Sequence, residues 1–364
     1  MLARNRRYDR VGGARLEGIR IASVGNLAVG GTGKTPLTAW MARELSDRGA
    51  RPAVLMRGYG HDEALLHRRW NPDVDVVVGP DRVAGAHIAR ARGAGVAILD
   101  DGYQHRRLAR DLDLVLLAVE DPRPVRVLPA GPYREPWSGL GRADAVVLTR
   151  RRASLAEAEA LARAVEAEFP GLVRAAVRLA PGAWTDLEGT PSAPPRGPML
   201  AVAAVARPEA FRADVEERSG EPVELLAFAD HHEYTASDTR KIARRAAGRT
   251  VVVTEKDAVK LVPHGDALGG ARVISQELRW DWGQEAIGTL LDELAGGESP
   301  RHGGGSAEAG DAPLERPDAG AARDDDGTVR YDAGRVRDEN APAGHPAAGN
   351  RDDARRVGRD ARVP

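Results

Sequence analysis

The stretch most diagnostic of the fold is Ser23-Val-Gly-Asn-Leu-Ala-Val-Gly-Gly-Thr-Gly-Lys-Thr35. It starts at the end of a mostly apolar run, Ile19 to Val24, and leads into an amphipathic stretch that begins at Thr35. A glycine-rich turn between a buried strand and a helix is typical of a phosphate-binding loop. Such a turn points backbone amides at an anion, and the helix N-terminus adds a partial positive charge. The stretch therefore predicts a nucleotide site on an α/β fold.

Six consecutive residues of this loop are the predicted nucleotide contacts: Gly30, Gly31, Thr32, Gly33, Lys34 and Thr35. Lys34 supplies a charge for the β- and γ-phosphates, and Thr35 offers a hydroxyl to Mg²⁺. The strict pattern has glycine at the position of Ala28. We interpret the loop as a variant in which the glycines next to Lys34 compensate. A glycine-rich turn that binds nothing is the alternative.

A second strand ends in two acids, Asp100 and Asp101, after the apolar run Val96 to Leu99. Ligands of open α/β sheets bind at the carboxyl ends of the strands. Taken with the phosphate loop, the two acids predict the further magnesium ligands. Taken alone, an Asp-Asp pair is also common at the start of a turn.

Short runs of Val, Ile and Leu alternate with helix-period segments along most of the chain, which predicts an α/β fold with a mostly parallel sheet flanked by helices, as in P-loop NTPases. The predicted strands are Ile19 to Val24, Ala53 to Met56, Val74 to Val78, Val96 to Leu99, Leu112 to Ala118, Ala145 to Thr149, Met199 to Val205, Val223 to Phe228, Thr250 to Val253 and Arg272 to Ile274. The predicted helices are Thr35 to Arg48, Asp62 to Arg69, Arg82 to Arg92, Leu155 to Phe169, Glu209 to Arg218, Ser237 to Ala247 and Gln284 to Leu294.

A Pro- and Gly-rich stretch from Pro181 to Pro198 marks the predicted joint between two domains. We expect a P-loop domain with a basic N-terminal arm over 1–190 and a smaller α/β domain over 191–297. Residues 298–364 contain one Leu, one Tyr and four Val among Gly, Ala, Pro, Asp and Arg. This composition buries too little apolar surface to offset ordering entropy, so we expect a disordered polar tail.

Composition excludes several classes of protein. The 53 Lys and Arg nearly cancel the 54 Asp and Glu, so no basic field favours nucleic acid. The chain has no cysteine, which excludes disulfides and Cys-based metal sites and is compatible with a reducing compartment. The longest uncharged apolar stretch, Gly197 to Ala206, is far shorter than the roughly 20 residues of a membrane-spanning helix. No apolar signal-peptide core follows Met1.

Several further motifs occur in one order: Arg57-Gly-Tyr-Gly60, Val78-Gly-Pro-Asp-Arg82, Asp100-Asp-Gly-Tyr-Gln-His-Arg-Arg-Leu-Ala-Arg-Asp111, Leu128-Pro-Ala-Gly-Pro-Tyr-Arg-Glu-Pro136, Asp230-His231-His232 and Thr254-Glu-Lys-Asp-Ala-Val-Lys260. With the phosphate loop, they resemble the tetraacyldisaccharide 4'-kinase family. The resemblance runs from about Arg4 to about Leu294. It implies that Mg²⁺-ATP donates a phosphate to the 4'-hydroxyl of a lipid disaccharide 1-phosphate, which gives lipid IVA in lipid A biosynthesis.

The resemblance also implies roles for individual residues. Asp62 corresponds to the catalytic aspartate, His231 to the histidine that pairs with it across the cleft, and Arg134 to an arginine at the phosphates. Lys34 and Thr35 match the phosphate-loop Lys and Thr, while Asp100 and Asp101 match the magnesium-associated pair. Glu63, Gln104 and His105 are expected at the substrate or directly behind it.

The chain departs from the family in two places. Only His61 separates Gly60 from Asp62, where the family usually has a longer segment. At the N-terminus only the basic end of a helix remains, with six arginines against two acidic residues up to Arg20. This arm suits anionic headgroups, so we expect peripheral binding at the cytoplasmic face of a bacterial inner membrane. A plain solvated arm is the alternative.

Other functions remain open from sequence. One is a P-loop kinase or ATPase that acts on a different small acceptor, and another is a catalytically silent nucleotide-binding switch. No obligate protein partner and no nucleic acid are expected.

Overall fold

Eleven strands form one sheet in the computed structural model, which describes Tyr8 and residues 12–58 and 62–296. The strands are β1 (Arg20–Asn26), β2 (Pro52–Met56), β3 (Asp75–Val78), β4 (Val96–Asp100), β5 (Leu112–Ala118), β6 (Ala145–Arg150), β7 (Val173–Thr185), β8 (Met199–Ala203), β9 (Val223–Ala227), β10 (Thr250–Thr254) and β11 (Arg272–Trp282). The α-helices are α1 (Lys34–Asp47), α2 (Asp62–Trp70), α3 (Arg82–Ala91), α4 (Leu155–Glu168), α5 (Pro208–Ser219), α6 (Ala236–Ala246), α7 (Glu255–Leu261) and α8 (Gln284–Gly296). Short 3₁₀ helices cover Trp137–Arg142 and Val262–Leu268.

The strand order is β3-β2-β4-β1-β5-β6-β7-β11-β10-β8-β9. Every pairing is parallel except that of β7 with β11. β1 lies between β4 and β5. The chain continues from β1 to β2 on one side of it and later crosses from β4 to β5 on the other side. Such a switch point opens a crevice at the carboxyl ends of the strands. The prediction of a mostly parallel P-loop-type sheet is confirmed.

Helices cover both faces of the sheet around β1. On one face Met41 and Leu45 of α1 and Leu291 of α8 are fully buried against β1, β4 and β5. On the other face Leu161 and Val165 of α4 pack on β5 and β6. β5 is buried along its whole length, which explains why six of its seven residues are apolar. This packing fixes the ends of β1 and β4, where the predicted phosphate and metal residues lie.

The antiparallel pair of β7 and β11 differs from the prediction. Residues from Pro181 onward, predicted to begin a joint, continue β7 as far as Thr185, and β11 continues past its predicted end at Ile274 as far as Trp282. Pro181 lies opposite Gln276, beside a shift of register, where a missing amide hydrogen is tolerated. A Cβ on Gly182 would lie 2.5 Å from Ser275 Oγ, so glycine permits the close approach. The proline and glycine are thus accommodated inside a strand.

The predicted domain boundary at 190/191 falls in the segment 186–198 between β7 and β8. The division into two domains stays a prediction. The expected disordered tail 298–364 and the basic residues Arg4, Arg6, Arg7 and Arg10 lie outside the described residues. In the part of the chain that the structure describes, no helix is both long and apolar enough to cross a membrane.

Candidate active site

The glycine-rich loop connects β1 to α1 with its backbone turned toward a cleft. Gly30 has φ 125° and Gly33 has φ 90°, values that favour glycine. Thr32 Oγ1 accepts a hydrogen bond of 3.0 Å from Asn26 Nδ2, which holds the middle of the loop. Helix α1 begins at Lys34 with no side-chain hydrogen bond to its first amides. Because these amides lack a side-chain cap, they can bind an anion.

The two acids at the end of β4 have different partners. Asp100 Oδ2 lies 3.0 Å from His67 Nε2, and both side chains are buried. Asp101, which has φ 55°, accepts a hydrogen bond of 2.8 Å from Arg134 Nη1 and lies 3.6 Å from Lys34 Nζ. The acids, the lysine and the arginine therefore lie together at the carboxyl end of the sheet.

Gln104 fixes the position of Arg134. Its Nε2 donates to Asn26 O at 2.9 Å, and its Oε1 accepts from Arg134 Nη1 at 3.2 Å. Gln104 thus connects β1 to the arginine. His105 is not among the residues that line the cleft, and burial together with nearby positive charge lowers its pKa to about 4. The substrate role expected for His105 stays a prediction.

Helix α2 holds a carboxylate beside a histidine from the far half of the sheet. Asp62, at the start of α2, has a side chain 1% exposed, and its Oδ2 lies 3.1 Å from Nδ1 of His231. His231 follows β9 and is 39% exposed. His231 lines the cleft, whereas Asp62 lies directly behind it. The structure therefore brings together the pair that the resemblance implied.

The next residue of α2 pairs with helix α7. Glu63 Oε1 accepts a hydrogen bond of 2.7 Å from Lys256 Nζ, and at the other end of α2 Trp70 Nε1 donates to Glu255 Oε1 at 2.9 Å. Burial would lower the pKa of Lys256, but the negative charge of Glu63 outweighs it and raises the pKa. Lys256 therefore stays charged at neutral pH and holds α2 and α7 together.

One cleft of about 510 Å³ connects these groups. Its lining includes Gly30, Gly31, Lys34, Thr35, Glu63, Asp100, Asp101, Arg134, His231 and Lys256. Burial would raise the pKa of Asp100, but the hydrogen bond and charge of His67 and the charges of Lys34 and Lys256 keep it below its usual value. The carboxylate of Asp100, the cations of Lys34, Arg134 and Lys256 and the uncapped amides of the loop therefore lie around the same cleft. This arrangement can bind a polyphosphate and a hard metal ion and direct them at an acceptor.

Sequence reasoning missed several residues of the site. Arg207, at the start of α5, lines the cleft, and its Nη2 would lie 4.0 Å from a Cβ on Gly30. Arg151 lines the same wall, and burial lowers its pKa. No motif marks these two. His67 could have been found, because it lies four residues after Glu63 on a predicted helix and so on the same face.

A second cavity, also of about 510 Å³, lies elsewhere, at the amino ends of β1 and β4. It is lined by Arg15, Gly18, Arg20, Gly95 and Leu294, among others. None of the predicted catalytic or nucleotide residues line it, so the cleft at the carboxyl ends of the strands is the candidate active site.

Comparison with known proteins agrees with this geometry. The family model described as tetraacyldisaccharide-1-P 4'-kinase matches residues 1–64 and 60–295. A tetraacyldisaccharide 4'-kinase of Syntrophus aciditrophicus is 37% identical over 303 residues, which are 71% of this chain and 80% of the relative. One of Anaeromyxobacter dehalogenans strain 2CP-C is 39% identical over 299 residues, 72% and 79% of the two chains.

A solved structure is also similar. It is the LpxK of Aquifex aeolicus, described as an "apo" form in complex with ATP. Its sequence is 27% identical, and the match has a TM-score of 0.61 and covers 80% of this chain and 94% of that one. Fold, site geometry and relatives of similar length agree, and the chain belongs to the tetraacyldisaccharide 4'-kinase family.

Proposed function

We propose that this chain transfers the γ-phosphate of ATP to the 4'-hydroxyl of a tetraacyldisaccharide 1-phosphate and so forms lipid IVA. The observation that carries the proposal is the His231–Asp62 pair in the same cleft as the phosphate loop. A kinase must hold a triphosphate and an acceptor hydroxyl in line, with a group beside the hydroxyl to take its proton. These requirements are met by residues that line the cleft or lie directly behind it.

The triphosphate binds to the loop from Gly30 to Thr35. Amides at the start of α1 and the ammonium group of Lys34 face the β- and γ-phosphates, and Arg134 reaches the same place from the other side. In this structure Lys34 and Arg134 both pair with Asp101. Asp101 therefore holds the two cations near where the phosphates bind.

The residues present fit magnesium. The hydroxyl of Thr35 and the carboxylates of Asp100 and Asp101 are hard oxygen donors, and Mg²⁺ commonly uses one or two protein carboxylates together with phosphate oxygens. When bound, the ion neutralises charge on the β- and γ-phosphates. His67 keeps one oxygen of Asp100 in place by a hydrogen bond of 3.0 Å.

The transfer forms one bond and breaks one. The 4'-oxygen bonds to the γ-phosphorus as the bond from that phosphorus to the β–γ bridging oxygen breaks, and ADP leaves. The acceptor proton passes to the His231–Asp62 pair. His231 is the member that lines the cleft, and Asp62 behind it orients the ring and stabilises the imidazolium. Lys34 and Arg134 stabilise charge on the transferring group.

We place the enzyme at the cytoplasmic face of the inner membrane as a peripheral protein. The support is the acyl-chain character of the acceptor and the arginines of the N-terminal arm, of which Arg15 is exposed in the structure. Each basic residue near an anionic surface contributes about 1 kcal/mol. Flotation with vesicles that contain anionic lipid should fall steeply as salt rises. Flotation that high salt leaves unchanged contradicts electrostatic binding.

Incubation with [γ-³²P]ATP, Mg²⁺ and tetraacyldisaccharide 1-phosphate in detergent tests the proposal. We expect a labelled bisphosphorylated lipid and an equal amount of ADP, and no product from the Lys34→Met variant. ATP consumption without labelled lipid indicates a different acceptor. A protein that binds ATP but never consumes it is a silent switch.

A further inference from the structure

A buried lysine contacts the proposed catalytic pair from the side away from the cleft. Lys260 of α7 has a side chain only 2% exposed, and its Nζ lies 3.8 Å from Asp62 Oδ2. The same atom donates to His232 O at 2.9 Å and lies 3.7 Å from Asp257 Oδ1. None of these contacts reaches the cleft, because neither Lys260 nor Asp62 is among the residues that line it.

Asp257 holds the lysine in place and has several neutral donors of its own. Its oxygens accept hydrogen bonds from Thr254 Oγ1 at 2.7 Å, Tyr234 Oη at 3.0 Å and Ala204 N at 3.2 Å. Burial raises the pKa of Asp257, although the Thr254 bond and the charge of Lys260 oppose the rise. The carboxylate has three hydrogen-bond donors besides Lys260, so the lysine can contact a second carboxylate as well.

Three nitrogen atoms surround the carboxylate of Asp62. His231 Nδ1 contacts its carboxylate from the cleft at 3.1 Å, and Glu63 N donates to its Oδ1 at 3.0 Å. Lys260 approaches Oδ2 from the buried side. A carboxylate with a 1% exposed side chain has little access to water. A cation behind it therefore compensates for lost solvation and restricts its rotation.

We propose that Lys260 is a positioning residue for the His231–Asp62 pair: its ammonium group fixes the Asp62 carboxylate so that both oxygens face Nδ1 of His231, at 3.2 and 3.1 Å. The ring is then held with Nε2 toward the cleft. The expected effect of Lys260 on turnover rests on the proposed function. Its expected effect on the geometry of the pair rests only on the contacts among Lys260, Asp62 and His231.

The Lys260→Met variant removes the charge and keeps an unbranched side chain. We expect kcat to fall by about 10- to 100-fold, the loss typical when a reacting group is slightly misplaced. KM for ATP and for the lipid should stay within about threefold, since Lys260 touches neither. Tyr234→Phe is the matched control. It removes a different hydrogen bond to Asp257, leaves the contact of Lys260 with Asp62, and should keep wild-type kcat.

Lys260→Met leaves the Asp257 carboxylate buried without its cation, which can unfold a protein. The double variant Lys260→Met/Asp257→Asn avoids this problem, because the amide oxygen still accepts hydrogen bonds and no uncompensated charge remains at position 257. It should fold and show the same loss of kcat.

A double-mutant cycle with Asp62→Asn separates a positioning effect of Lys260 from a general effect on protein stability. If Lys260 acts through Asp62, Lys260→Met lowers the residual kcat of Asp62→Asn by less than about twofold. An equal fold-loss in both backgrounds overturns the proposal, and so does wild-type kcat in folded Lys260→Met.

Ring ¹⁵N NMR of His231 gives a readout that does not need turnover. The Nδ1 resonance should shift in Lys260→Met and in the double variant, but not in Tyr234→Phe. An unchanged resonance contradicts the proposal even if the lipid acceptor is misassigned. Failure of wild type to phosphorylate the disaccharide instead contradicts the proposed function and leaves the NMR result to decide on Lys260.

Discussion

His67 Nε2 lies 3.0 Å from Asp100 Oδ2, and both side chains are buried beneath the cleft. A carboxylate that binds a metal ion is usually held by such a hydrogen bond, and loss of the partner typically costs about 10- to 100-fold in metal affinity or activity. In the structure this bond joins α2 to the end of β4. The same helix thus contacts the proposed metal residues and carries Asp62.

We expect His67→Leu to raise the Mg²⁺ concentration needed for half-maximal activity by about 10- to 100-fold. His67→Gln, which keeps a donor, should recover most of the loss. Calorimetric titration of an ATP analogue with and without Mg²⁺ checks the effect without turnover. The exposed His87 on α3 supplies the control substitution His87→Leu. Unchanged magnesium dependence in folded His67→Leu argues against a role for the bond.

Substitution of either member of the His231–Asp62 pair should lower kcat by about 100- to 10,000-fold, the usual contribution of acid–base catalysis. Asp62→Asn and His231→Asn should each leave ATP affinity near that of wild type. The double variant should be little worse than either single one, because the two act as a unit. His232→Asn is the neighbouring control, since His232 does not line the cleft. Additive losses contradict a shared role.

Arg134→Gln should lower kcat by about 100- to 1,000-fold, as expected when a donor to the developing charge is removed. Gln104→Leu deletes the 3.2 Å contact that orients this arginine and should have a smaller effect in the same direction. Steady-state kinetics with varied ATP and lipid separate kcat from KM. A Gln104→Leu loss larger than that of Arg134→Gln indicates that Gln104 acts by another route.

Two glycines of the phosphate loop should respond differently to alanine. Gly33 has φ 90°, and a Cβ there would lie 2.7 Å from Leu179 Cδ1, so Gly33→Ala should lower the free energy of unfolding by about 1–2 kcal/mol or more. A Cβ on Gly31 meets nothing within 4 Å. Gly31→Ala should therefore preserve the denaturation midpoint. Urea unfolding measures both, and equal midpoints contradict the strain assigned to Gly33.

His105 makes stability depend on pH. Burial and nearby arginines lower its folded pKa to about 4, below the ordinary histidine value of 6.5. As pH falls through this interval the unfolded chain binds a proton that the folded chain does not, so the free energy of unfolding decreases. His105→Gln should lose less stability between pH 6.5 and 4 than wild type. Thermal unfolding at several pH values checks this, and parallel curves contradict it.

Much of the fold and of the site could be predicted from sequence. Local signals mark the loop around Lys34, and the buried strands ending in Asn26 and Asp100 have apolar sequences that identify them. The antiparallel pairing of β7 with β11 was not predicted, because Pro181 and Gly182 resemble a linker when the partner strand is unknown. Helix α7 was missed as well, since its seven residues are too few for a clear helical period.

Two buried residues at the site, His67 and Lys260, were missed for the same reason. His67 and Lys260 are buried polar groups whose partners, Asp100 and Asp62, are distant in sequence. Periodicity assigns a residue to a face of a helix but does not identify what that face meets. The motif from Thr254 to Lys260 signalled importance, yet its geometry depends on the packing of α7 against α2. Tertiary contacts supplied what local patterns lack.

Helix α2 has a consequence for how the enzyme can change. This short helix carries Asp62 in its first turn and His67 in its second. A tilt of the helix therefore moves the His231–Asp62 pair and the His67–Asp100 pair together. Substitutions along α2 are therefore pleiotropic, and a mutation that improves one pair disturbs the other. Evolution or engineering is freer at Arg151 and Arg207, which line the cleft but do not belong to α2.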